Sequence, residues 1–102
     1  MIKVLETKRE QISDICARHG VARLHVFGSA LHENFRPGKS DVDLLVELVP
    51  MEQYARVDAY FGLLEDLGAL LNVKIDLVMV GAVKNPYIAR DIERTKQLLY
   101  AA

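Results

Sequence analysis

The 102-residue chain has no tryptophan and a single cysteine, at position 16. A lone thiol makes no internal disulfide, and Cys16 falls in helical register with Ile12 and Ile15, so its expected place is a core and not a reactive site. An excess of either charge is also missing, since 13 Lys and Arg face 14 Asp and Glu for a formal net of −1. No basic surplus marks a nucleic-acid surface, and no direct nucleic-acid partner is expected. Long apolar runs are lacking too. The opening M-I-K-V-L-E-T-K-R-E mixes charges from the start, so neither a signal peptide nor a membrane span is expected and the default location is the cytoplasm. Repeats, linkers and low-complexity segments are absent. One domain over residues 1–102 is the expected organisation, large enough for a core but with no room for a second, substrate-binding domain.

Periodicity supplies the elements. Residues 3–18 read as a helix with an incomplete apolar stripe of Leu5, Ile12, Ile15 and Cys16, stopped by Gly20. Residues 22–27 alternate as a strand, with Leu24 and Val26 on one face and Arg23, His25 and Phe27 on the other. One helical turn over residues 30–34 and a turn at Arg36-Pro37-Gly38 are expected next. A second strand over residues 41–49 ends at Pro50. Val57, Tyr60, Phe61, Leu64 and Leu67 define an amphipathic helix over residues 54–67, closed by Gly68 or extended through Leu70 and Leu71. A third strand, residues 73–80, puts Val73, Ile75, Leu77 and Met79 on one face and Lys74, Asp76 and Val78 on the other. Asn85-Pro86 is a cap and first-turn pair for a last helix reaching about Tyr100, with Ile88, Ile92 and Leu99 on one side. Helices alternating with strands predict an α/β domain of two or three layers around one short sheet, with strand order left open.

The chemistry concentrates between Phe27 and Glu47. Gly28 ends the first strand and leaves no side chain between the backbone and an approaching phosphate, and Ser29 adds a hydroxyl and an amide donor. Asp41 and Asp43 open the second strand two residues apart, hence on one face, while Val42, Leu44, Val46 and Leu48 turn to the other. Paired carboxylates repel unless a cation neutralises them, and hard oxygen donors suit magnesium held jointly with substrate phosphates. Ser40, just before the acids, can cap locally and is counted with Gly28 and Ser29 as a nucleotide-contacting candidate. Asp76 is an acid inside an apolar run. It has two readings, a third ligand or an ion-pair partner for Lys74 two residues away on the same face. Glu47 shares the face of Asp41 and Asp43 but lies about 13 Å beyond Asp43 at strand rise, so a solvated strand end is expected of it. His19, His25 and His32 show no metal-ligand spacing.

Gly28-Ser29, the spacer, Ser40-Asp41-Val42-Asp43-Leu44 and a later Asp76 resemble the nucleotidyltransferase superfamily of DNA polymerase beta, and most closely its minimal branch of roughly hundred-residue chains. Many of those are antitoxins of a small helical protein with the HEPN fold. The resemblance covers nearly the whole chain and implies a mixed sheet flanked by helices, a helical tail ending Leu98-Leu99-Tyr100, and the second and third strands close enough for Asp76 to join Asp41 and Asp43. It further implies that these three aspartates hold two Mg2+ ions, that Gly28 and Ser29 hold the β and γ phosphates of ATP, and that AMP passes to a hydroxyl, expected to be a tyrosine, of a HEPN-type toxin. Many relatives continue Gly-Ser-x-Ala-Arg-Gly; here His32 replaces the Arg and Glu33 the Gly, with Arg36 or Lys39 as substitutes. Two other functions stay open on the sequence: a binding module that neutralises its partner by occlusion, and transfer to a small molecule in a pocket completed by another chain or a dimer.

Overall fold

A computed structural model describes residues 1–32, 35–36 and 38–102; the expectations at Glu33, Asn34 and Pro37 lie outside the described residues. The elements are α1 (Lys3–Thr7), α2 (Arg9–Arg18), β1 (Val21–Phe27), a 3-10 turn (Gly28–Leu31), β2 (Val42–Leu48), α3 (Gln53–Leu71), β3 (Ile75–Met79), α4 (Pro86–Thr95) and β4 (Gln97–Ala101). The four strands form one mixed sheet in the order β3-β2-β1-β4. β1 is antiparallel to both β2 and β4, whereas β3 runs parallel to β2 after the α3 crossover.

Strand alternation divides the sheet into two faces. Leu24, Val26, Leu44 and Val46 are fully buried together with Leu5, Ile12, Cys16, Leu63 and Leu67, so α1, α2 and α3 cover one side. Leu45, one residue out of phase, lies on the opposite side. It is buried there near Ala89 and Ile92 of α4, which with Val80 and Val83 line a cavity of about 120 Å³. The acids share that second face. An α/β domain with a short mixed sheet flanked by helices is therefore the observed architecture, as the sequence pattern predicts.

Three elements differ from expectation. The helix expected over residues 3–18 is two helices that break at Lys8, and residues 6–11 offer no apolar side chain that would hold a continuous helix against the core. Helix α3 takes the longer of its two expected ends, past Gly68 to Leu71, where Asn72 closes it in the left-handed conformation at φ 53°, and differs in the face it buries. Its buried line is Ala59, Leu63, Leu67 and Leu71, while Val57 is 50% and Phe61 60% exposed. The helix carries two apolar faces, and the one spaced by fours packs on the sheet. The helix expected to reach Tyr100 stops at Thr95, and the tail becomes β4. The free edge of β1 has unpaired peptide groups, and the pairing of Arg23–Val26 with residues 97–101 satisfies them while seating Leu99 in the core.

Candidate active site

The site begins at the end of β1. Phe27 is the cross-strand partner of Asp43, so Gly28 passes directly beside that carboxylate. Its φ of 71° lies in the left-handed region that glycine adopts freely, and a Cβ on it would overlap Asp43 Oδ2. Glycine is thus required for the backbone turn and for the space that Asp43 occupies. In the turn that follows, Ser29 donates its hydroxyl to the carbonyl of Asp41 at 3.3 Å, which joins the Gly-Ser turn to the head of the acid strand. Ala30 is fully buried, and its carbonyl accepts from the Ile2 amide at 2.8 Å, anchoring the turn from below.

Asp43 and Asp76 are brought together by strand register. In the parallel β2–β3 ladder Asp43 pairs with Asp76, as Val42 pairs with Ile75 and Leu44 with Leu77. Burial pushes the Asp43 carboxyl up to about 6, and the negative charges of Asp76 and Asp41 and a hydrogen bond shared with Asp76 push the same way. Asp41 stands just before β2, half-exposed, with Lys74 Nζ at 3.9 Å from its Oδ2. Lys74 therefore leans toward Asp41, and among the described residues Asp76 has no ion-pair partner. Ser40 accepts from the Arg36 amide at 3.1 Å, the local cap expected of it, and lines a cavity of about 350 Å³ with Gly38, Asp41, Asn72, Val73 and Lys74.

The remaining candidates lie elsewhere. Glu47 accepts a two-pronged pair of hydrogen bonds from a cross-strand guanidinium, Arg23 Nε at 3.0 Å and Nη2 at 3.2 Å, so it serves the solvated end of the sheet. His19 meets Asp66 at 2.6 Å and packs against Gly62 of α3, a structural role. His25 is held below its ordinary value by burial, with Lys96 adding to the effect. His32 is exposed at the end of the 3-10 turn.

Among the described residues no three acidic, histidine or cysteine side chains already stand at metal-ligand spacing. The donor set nonetheless suits a hard divalent cation. The Asp43 and Asp76 carboxylates meet across adjacent strand heads with Asp41 just before them, and burial, followed by the charges of Asp76 and Asp41, raises the Asp43 pKa. The residues that would hold such an ion are Asp41, Asp43 and Asp76. Sequence reasoning missed the approach of Lys74 to Asp41, because residues 41 and 74 become neighbours only through the parallel register.

This fold, with a Gly-Ser turn set against paired strand-head acids, is that of a nucleotidyltransferase. The nucleotidyltransferase domain family matches residues 8–99, and the chain belongs to it and is an enzyme of that type. A relative from Methanocaldococcus jannaschii, "Putative protein adenylyltransferase MJ0128", is 38% identical over 88% of this chain and 94% of its own. A solved structure of a "putative minimal nucleotidyltransferase" is 31% identical, with a TM-score of 0.67, covering 91% of this chain and 93% of that one. The fold also matches at a TM-score of 0.64 a chain in a complex of tri-AMPylated Shewanella oneidensis HEPN toxin with MNT antitoxin. That match is 16% identical and covers 96% of this chain and 73% of that one. No helix among the described residues is long and apolar enough to cross a membrane.

Proposed function

We propose that this protein transfers AMP from ATP to a hydroxyl, a tyrosine in our reading, on a HEPN-type partner protein, and does so with divalent metal. The observation that carries the reading is the Asp43–Asp76 register beside Gly28, which sets two carboxylates and a side-chain-free backbone at one point. The relative described as a protein adenylyltransferase and the fold shared with the antitoxin complex support the choice of acceptor.

In the transfer, the acceptor oxygen bonds to the α-phosphorus as the bond from that phosphorus to the β-bridging oxygen breaks, and pyrophosphate leaves. Two Mg2+ ions, when bound, neutralise phosphate charge and lower the pKa of the attacking hydroxyl. Asp41 and Asp43 position the donor. Gly28 and Ser29 let its β and γ phosphates approach the backbone. Asp76, the exposed member of the three, is in this reading the residue that meets the incoming hydroxyl and takes its proton. Positioning and charge neutralisation account for most of the rate in phosphoryl chemistry, so a domain of this size suffices.

Incubation with labelled ATP, magnesium and a HEPN-type protein tests the proposal. Label should appear on the partner with the parent chain and vanish with Asp43→Asn and with Asp76→Asn, while circular dichroism stays unchanged. Transfer by either variant at the parent's rate would remove that carboxylate from the mechanism, and neutralisation of the partner without any label would favour occlusion.

A further inference from the structure

We propose that Lys74 is a triphosphate-binding residue, holding the β and γ phosphates of the donor and then the departing pyrophosphate. The inference rests on the nucleotidyltransferase reading and adds a residue to it. Three carboxylates and a triphosphate at one point make a strongly negative assembly, and two divalent cations offset only part of it. A protein cation is needed. Among the described residues the one ion pair made by any of the three aspartates is Lys74 to Asp41.

The other lysines and arginines that form ion pairs among the described residues are engaged away from the site. Arg23 is held by Glu47, Lys96 by Glu93, Arg18 by Asp66 and Arg94 by Asp91. Lys74 differs in having a loose partner, at 3.9 Å, and a side chain that is 81% exposed. An exposed pair at that distance is weak, so the ammonium can exchange Asp41 for a phosphate oxygen at little cost. Its backbone is fixed nonetheless. The Lys74 carbonyl accepts from the Val42 amide at 3.0 Å, tying it to the head of β2, and Asn72 in its left-handed cap sets the chain direction two residues earlier.

The space fits the same role. Lys74 lines the cavity of about 350 Å³ together with Gly38, Ser40 and Asp41. A phosphate reaching from Gly28 and Ser29 past Asp41 would meet the ammonium at the edge of this cavity. Lysine serves such a site as a mobile point charge, able to follow the leaving group outward.

The test needs only the isolated protein, by calorimetric titration with MgATP, magnesium pyrophosphate and AMP. Lys74→Met should weaken MgATP and pyrophosphate about ten- to a hundredfold, the range of one charge-assisted hydrogen bond, and leave AMP unchanged. Lys74→Arg should restore most of the loss. A parent that binds MgATP beside a Lys74→Met variant that binds it equally well would overturn the inference while leaving the enzyme reading in place. Equal loss for AMP would also overturn it, by showing a general disturbance and not a phosphate contact. Failure of the parent itself to bind MgATP would overturn both readings.

Discussion

Replacing Gly28 with alanine probes the join between the backbone turn and the acid pair. Two costs add. A residue with a Cβ held at φ 71° loses about 1–2 kcal/mol relative to glycine, and overlap with Asp43 Oδ2 adds an overpacking cost of about 1–3 kcal/mol. The expected destabilisation is about 2–5 kcal/mol, a large share of the roughly 5–15 kcal/mol that holds a domain folded. The two parts separate in a double-mutant cycle with Asp43→Ala, which removes the carboxylate and keeps the strand. In that background Gly28→Ala should cost only its backbone share, about 1–2 kcal/mol. With no tryptophan to report unfolding, urea denaturation is followed by far-ultraviolet circular dichroism. A cost below about 0.5 kcal/mol, or one equal in both backgrounds, would refute the steric link between the turn and Asp43.

Other predictions follow from burial. Cys16, fully buried and with its thiol pushed up to about 12 by desolvation, should resist iodoacetamide in the native protein and react on unfolding in urea; rapid native alkylation would contradict its place in the core. Leu67→Ala should cost about 2–5 kcal/mol, whereas Phe61→Ser should stay within about 0.5 kcal/mol, and a reversal would show that α3 packs by its other face. His25 is held below its ordinary value by burial and by Lys96 and Arg23, against the opposing pull of Glu93 and Glu47. The unfolded chain therefore binds its proton more readily, so stability is intact above the unfolded pKa of about 6.5 and falls as pH drops from there toward the folded pKa. His25→Gln should lose less stability than the parent between pH 7 and pH 5, and parallel losses would exclude His25 as a source of the acid sensitivity.

Much of the site was legible because its signals are local. Gly28 follows a strand whose alternation is plain, and Asp41 and Asp43 are read from a period of two that needs no partner to be recognised. Lys74 was harder. In the strand expected over residues 73–80 it shares a face with Asp76, which suggests a pair between them, but the parallel register carries Val42 to Ile75 and leaves Lys74, just before β3, beside Asp41. Helix α3 shows a different limit. Val57, Phe61 and Leu64 form as good a stripe as Ala59, Leu63 and Leu67, and only the sheet decides which of them is covered. The tail reads as helix because Ile88 and Ile92 are four apart, yet Gln97–Ala101 answers to the open edge of β1, a demand made by residues about seventy positions earlier. Long-range pairing overrides local propensity in such places.

The same pattern that folds the sheet aims the acids. On β3, Leu77 is buried and Ile75 and Met79 pack against the core, so Asp76 must face the other way. A shift of one residue would reverse every side chain, burying Asp76 among leucines and exposing Leu77. β2 is bound by a like constraint, since Val42, Leu44 and Val46 are fully buried and Asp43 lies out of phase with them. Two strands, each fixed in facing by its own apolar residues, leave only their relative slide to be chosen. The α3 crossover and the Val42–Lys74 backbone bond choose it, and the chosen register sets Asp43 against Asp76. The carboxylate pair needs no separate device to assemble, because the apolar face that stabilises the sheet has already oriented both side chains and the register has only to align them.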